Sequence, residues 1–266
     1  MTLSIIIPVL NEQEQVAATL AHLIQQAIAP EQLEIIVVDG GSSDGTVGVV
    51  SAFAKANPQQ SITLVTSNRG RAIQLVQGRS QARGSILYFL HADSLPPAYY
   101  DREITRAVAA GHEAGCFKMR FRSSHPWLVF ISWFTRFSWR VSRGGDQSQF
   151  ITARLYDAVG GYNATLPFYE DYDLIHRLYV LEKYYVIPLW LTTSARRYEE
   201  VGVFKLQWFY LRIYWNKYRG ASIEEVYDYY KKWCETQIAD QTSISSPSSK
   251  KSMGLNGKSS SGSRSS

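Results

Sequence analysis

A few carboxylates and one arginine stand where they can do chemistry. The run Ile86-Leu87-Tyr88-Phe89-Leu90-His91-Ala92-Asp93-Ser94 is apolar and strand-forming until it ends in Asp93. In an open α/β sheet, ligands bind outside the carboxyl ends of the strands. A carboxylate placed there can hold a divalent cation through oxygen, and the cation can hold a diphosphate. The bland alternative is that Asp93 caps the helix after Pro96-Pro97. Asp39 closes a second apolar run and opens Asp39-Gly40-Gly41-Ser42-Ser43-Asp44-Gly45-Thr46. Its glycines let backbone approach a ligand closely. Asp44 or Ser43 suffices to cap the next helix, which leaves Asp39 to accept hydrogen bonds from a base or ribose. Asn11 and Glu12 follow a first strand through Pro8, as a helix start or as ligand contacts. Arg71, after Asn68-Arg69-Gly70, opposes the macrodipole of the helix it begins, which a nearby bound anion would explain. Asp171, in Glu170-Asp171-Tyr172-Asp173, lies near a helix start that favours its ionised form. It can take a proton from a hydroxyl or be a plain N-terminal helix carboxylate. Asp173 and Arg177, four apart, read as a pair on one helix face.

The elements that must position these residues alternate in the first half. Residues 3–9, 33–38, 61–65 and 85–90 read as near-continuous apolar strands. Residues 12–29, 44–56 and 71–83 read as helices between them. This predicts an α/β fold with a mostly parallel sheet and crossover connections. Downstream, helices are expected over 98–110, 170–182, 204–218 and 223–234, with strands over 114–121, 148–152 and 184–188. The segment from Trp127 to Val141 is aromatic and amphipathic, with Arg136, Arg140 and Arg143 along it. It is expected to pack; peripheral contact with a membrane, its arginines at lipid phosphates, is the alternative.

Composition narrows the classes. Of 266 residues 45% are apolar, enough for a sizeable core in one large domain. The net charge is +5, but residues 240–266 contribute +3 of it, leaving +2 for the body. That argues against a nucleic-acid partner. The tail, rich in Ser, Gly and Lys, has little to bury and is expected to be disordered over 239–266. Cys116 and Cys234 lack metal-ligand spacing and suggest a reducing compartment. No signal peptide is evident and no apolar run reaches the roughly 18–20 residues of a spanning helix. A cytoplasmic location, or one peripheral to the inner face of a membrane, is expected.

Taken in order, Ser4-Ile5-Ile6-Ile7-Pro8-Val9-Leu10-Asn11-Glu12, Val37-Val38-Asp39-Gly40-Gly41-Ser42-Ser43-Asp44-Gly45-Thr46, His91-Ala92-Asp93-Ser94, Gly144-Gly145-Asp146-Gln147, Gly160-Gly161-Tyr162 and Glu170-Asp171-Tyr172-Asp173-Leu174 resemble glycosyltransferase family 2 of the GT-A fold. The resemblance spans about residues 2–235. Gly70-Arg71-Ala72, the Gly-Asp-Gln string and Ser194-Ala195-Arg196-Arg197-Tyr198 are similar to the subgroup assigned to arsenosugar biosynthesis.

The resemblance implies a metal-dependent, inverting transfer of a sugar from a nucleotide-diphosphate donor to a hydroxyl acceptor. It implies that Pro8, Asn11, Glu12 and Asp39 surround the nucleoside and that Gly70 and Arg71 lie beside base and phosphates. Asp93 corresponds to the metal carboxylate of a DxD motif, for Mg²⁺ or Mn²⁺, and Asp171 to the base. Arg196 and Arg197 fall near the diphosphate or acceptor; Asp146, Gln147 and Glu170 fall on the acceptor side. His91 replaces the first Asp of DxD and would touch the ribose, leaving one carboxylate for the metal. A single domain over 1–238 is expected, with a nucleotide-binding half over 1–97 and an acceptor half over 98–238. A nucleotidyltransferase is an alternative, weakened by the acidic Asn11-Glu12-Gln13-Glu14. A non-catalytic membrane or scaffold protein on the same fold is another.

Overall fold

The computed structural model describes residues 2–144, 147–166 and 168–245. Asp146 therefore lies outside the described residues. Strand β1 (Leu3–Val9) is buried along nearly its whole length and is flanked by β2 (Leu33–Asp39) and β4 (Ile86–Phe89), both parallel to it. Strand β3 (Ser61–Thr66) adds outside β2, also in parallel. Burial on both faces is why β1 and β2 are near-continuous runs of Ile and Val, whereas β3 has no fully buried residue.

Helices α1 (Val16–Gln26), α2 (Thr46–Ala56) and α3 (Arg71–Gln81) make the crossovers. Gly78 lets α3 lie tightly on the sheet: a Cβ there would stand 2.4 Å from a methyl of Ile6. Because β3 lies to one side of β1 and β4 to the other, the order reverses between β1 and β4. Such a switch point opens a crevice at the strand ends.

The second half extends the same sheet in mixed orientation. After β5 (Ser94–Leu95) and α4 (Tyr100–Ala109) come β6 (Ala114–Phe121), α5 (Pro126–Phe134), β7 (Gln149–Thr152), α6 (Ala153–Ala158), α7 (Glu170–Val180), β8 (Tyr184–Thr193) and α8 (Arg196–Val201). The strand order is β3-β2-β1-β4-β7-β6-β8-β5. Strand β7 pairs antiparallel with β4 and β6, β8 runs parallel to β6, and β5 caps the end of β8 in antiparallel. The α/β architecture with a mostly parallel sheet is as expected.

Several boundaries differ from expectation for identifiable reasons. Helix α1 starts at Val16, not residue 12. Asn11 takes φ 56°, and the N–H groups of residues 11, 12 and 13 are held by Ser42 Oγ, Thr46 Oγ1 and Asp44 Oδ2. That pins the loop to the α2 entry instead of opening a helix. The amphipathic segment is α-helical only to Phe134, where the Thr135 hydroxyl turns back and donates to Met119 O. Arg143, a lipid-facing cation only in the alternative reading of this segment, is 1% exposed. It donates to Gln147 Oε1 at 2.7 Å, Thr135 O at 2.6 Å and Cys116 Sγ at 3.1 Å.

The chain divides into two compact units between residues 210 and 211, within α9 (Val203–Tyr218). Helix α10 (Ile223–Ser245) continues past 238, since no Gly or Pro interrupts it before Pro247 and an established helix propagates readily. Residues 246–266 lie outside the described residues.

Candidate active site

The loops after β1, β2, β3 and β4 all leave the carboxyl rim of the sheet, and with them come most of the candidate residues. The β1 and β2 loops are joined by side chains. Asn11 Oδ1 accepts from Ser43 N at 2.8 Å, and Gln13 Oε1 accepts from Gly45 N at 2.8 Å. Gln74 is buried and donates to Val9 O and Val38 O, bridging the ends of β1 and β2. Pro8 pairs in register with Val38. Asp39 is buried, and its carboxylate accepts from Gly41 N at 2.9 Å and Ser42 N at 3.1 Å. It therefore shapes its own turn, a local use that the apparent surplus of caps concealed. A carboxylate has further lone pairs with which to accept from a ligand.

Asp93 stands where β4 passes into β5. Ser94 N donates to His91 O at 3.2 Å, and the buried Ser94 hydroxyl lies 3.0 Å from that of Thr193. Pairing of β5 with the end of β8 delivers the first turn of α8 to the same place. There Arg196 meets Glu12 at 3.2 Å, and both feel the charge of Asp93. Burial raises the Glu12 carboxyl above its ordinary value; Arg196 works against that rise, and Asp93 and Asp44 add to it. Arg197 is exposed on the same turn.

A second cluster forms where two helix starts face each other. Arg71, first residue of α3 after Gly70 (φ 142°), ion-pairs with Asp171 Oδ2 at 3.0 Å and lies 3.4 Å from Glu170 Oε1. The anion that the sequence asks for beside Arg71 is supplied here by α7. Burial foremost, and then Asp171, raises the Glu170 carboxyl, while Arg71 pulls it down. Tyr162 donates its hydroxyl to Asp171 Oδ1 at 3.1 Å.

That tyrosine is set by the Gly160-Gly161 turn. Gly161 has φ 56°, and a Cβ on it would stand 2.3 Å from the Tyr156 ring, whose hydroxyl accepts from Tyr162 N. Phe89, at the end of β4, meets the Tyr162 ring edge-on at 4.9 Å. Arg177 ties the turn to α7 by donating to Gly161 O, and pairs with Asp173 at 2.7 Å.

Gln147, Gln149, Tyr162, Asp171 and Arg71 line a cavity of about 10 Å³, room for about one water. Gln149 Nε2 is buried there with no partner among the described residues. Gln149 was not singled out from sequence, and Tyr162 entered only as the end of the Gly160-Gly161-Tyr162 string, without a role. The structure thus brings Glu12, Asp93 and Arg196 together, and Arg71, Glu170, Asp171 and Gln147 together. Among the described residues, no group of three acidic, His or Cys side chains forms a metal cage.

The family model described as "Glycosyl transferase family 2" matches residues 4–161. Among known proteins, the undecaprenyl-phosphate 4-deoxy-4-formamido-L-arabinose transferase of Sodalis glossinidius (strain morsitans) is 31% identical over 208 residues, 75% of this chain and 58% of that protein. The enzyme of the same name from Proteus mirabilis (strain HI4320) is 29% identical over 203 residues, with the same coverage. The chain thus spans 58% of the length of these relatives.

Among solved structures, the mannosyltransferase PcManGT from Pyrobaculum calidifontis, in complex with GDP-Man and Mn²⁺, superposes with a TM-score of 0.57 at 21% identity, covering 71% of this chain and 56% of that one. S. aureus TarS 1-349 in complex with UDP gives 0.60 at 18% identity, covering 73% and 60%. These likenesses establish a GT-A-like fold. Strand-end loops, sheet order and the family match converge, and the chain belongs to glycosyl transferase family 2.

Proposed function

We propose that this chain transfers a sugar from a nucleotide-diphosphate donor to a hydroxyl acceptor, with inversion. The observation that carries the reading is the meeting of Asp93, Glu12 and Arg196 at the switch point, beside a second group in which Asp171 is held by Arg71 and Tyr162. In this reading Pro8, Asn11, Glu12 and Asp39 bound the nucleoside, His91 faces the ribose, and Gly70 and Arg71 lie toward base and phosphates.

A lone carboxylate suits a hard cation that takes most of its oxygens from phosphate and water. Asp93 would hold Mg²⁺ or Mn²⁺, which supplies Lewis-acid stabilisation of the diphosphate leaving group. Arg196, with Arg197 on the same turn, adds positive charge on that side. Asp171 removes the acceptor proton; the Tyr162 hydroxyl fixes its orientation. Gln147 and Glu170 border the acceptor side, and Asp146 is assigned there from sequence resemblance.

For the acceptor, the strings around Arg71, Gln147 and Arg196 support an arsenosugar-type product. The relatives' names instead point to a lipid-borne phosphate, which peripheral contact with a membrane through the segment from Trp127 to Val141 would suit. Among the described residues no helix is long and apolar enough to cross a membrane.

Calorimetric titration of UDP, GDP and dTDP, with and without Mn²⁺, tests the donor assignment. Metal-dependent binding of one nucleotide is expected. Binding of none would return the chain to the non-catalytic scaffold reading.

A further inference from the structure

Beside α5 runs an open groove of about 710 Å³ that shares no lining residue with the clusters just described. Its floor is apolar, with Val129, Trp133 and Trp190, and its rim carries Arg120, Arg122 and Arg136. Lys118 joins them, 4.6 Å over the Trp190 ring, and Arg136 lies 4.6 Å over that of Trp133. Among the described residues none of these four cations pairs with a carboxylate, and no carboxylate lines the groove. Burial and the nearby Arg136 charge hold the Lys118 amine below its ordinary range.

The apolar surface continues past the groove. Phe130 is 52% exposed on α5, and Trp127 touches Phe204 of α9, which is 69% exposed. Large aromatics in contact with one another at a surface are costly to leave in water. Four uncompensated positive charges at their edge select for an anion.

We propose that this face docks on an anionic phospholipid bilayer, with Trp133, Val129 and Phe130 entering the acyl boundary and Arg120, Arg122, Arg136 and Lys118 meeting lipid phosphates. Aromatic and aliphatic side chains flanked by cations are the chemistry of an interfacial helix. A second copy of the chain is disfavoured, because a two-fold contact would set the same cations against themselves. The inference rests on the peripheral-membrane reading above and replaces its cations: Arg143 is buried, and Arg140 is engaged with His176 at 2.7 Å.

The test is sedimentation of the full chain with vesicles of pure phosphatidylcholine, and with vesicles of equimolar phosphatidylcholine and phosphatidylglycerol. The wild type is expected to bind only the anionic vesicles. R122S/R136S is expected to weaken that binding about thirtyfold, as two cations at about 1 kcal/mol each imply. V129S/F130S is expected to weaken it as well.

If the arginine variant binds as the wild type does, another segment makes the contact: the groove assignment is overturned while the peripheral reading stands. If no vesicle is bound, both fall. Equal binding to neutral vesicles, or a dimer that R122S/R136S dissociates, also overturns the proposal. Nucleotide titration of the same variants is expected to be unchanged, so the transferase assignment is judged separately.

Discussion

At the scale of single residues, the candidate site is two charge clusters, to which the proposed function gives different work. Asp171→Asn keeps the shape and the Tyr162 contact but would remove the proton acceptor proposed above. Transfer is expected to fall by at least 100-fold, the low end for general base catalysis, with nucleotide affinity nearly unchanged. Single-turnover kinetics beside calorimetry separates the two. Asp93→Ala is expected to abolish the Mn²⁺ dependence of nucleotide binding; unchanged affinity in Mn²⁺ would remove Asp93 from the site. Strand-end carboxylates were legible in the sequence because an acid ending an apolar run conflicts with its surroundings. Asp39 shows the limit of that logic, since its buried carboxylate is committed to its own turn. Tyr162 was not legible as a partner of Asp171, because a contact between residues nine apart on a loop and a helix has no periodic signature.

At the scale of elements, the parallel half was readable because buried strands and crossover helices each have a distinct pattern. The mixed half was less so. Strand β5 is two residues long, too short for any alternation, yet its pairing with β8 brings Arg196 toward Glu12. The cationic rim was hidden because its arginines lie on β6, just after β6 and just after α5, apart in sequence. Strands β6 and β8 approach closely at Gly115, where a Cβ would stand 2.0 Å from Tyr185 O, a backbone atom that cannot swing away. Gly115→Ala is therefore expected to cost about 3 kcal/mol, at the upper end for overpacking, read as a lowered denaturation midpoint.

At the scale of the whole molecule, length and composition indicated a large core but not where the chain divides. The boundary at 210/211 falls inside a helix, where no loop composition marks it. The two cysteines report on integrity. Both are free; Cys116 is buried, and burial raises its thiol above the ordinary value although Arg143 opposes this. Cys234 is partly exposed. Alkylation of the native protein is expected to modify Cys234 alone, with Cys116 reacting only as fast as the fold opens. Mass spectrometry after timed labelling, with and without denaturant, checks this; rapid native labelling of Cys116 would show a local opening around β6.

The bridge from Arg71 to the acids of α7 also has a thermodynamic reach. Glu170 holds its proton more tightly than usual, and Arg71 restrains that tendency. A donor diphosphate that draws Arg71 toward itself leaves Glu170 without this cationic neighbour, so the complex takes up protons that the unliganded protein does not hold. The apparent heat of nucleotide binding is then expected to vary with the ionisation enthalpy of the buffer near the pH where Glu170 titrates. Arg71→Gln is expected to remove that dependence. Heats that are the same in every buffer would mean that Arg71 keeps its place when the donor arrives.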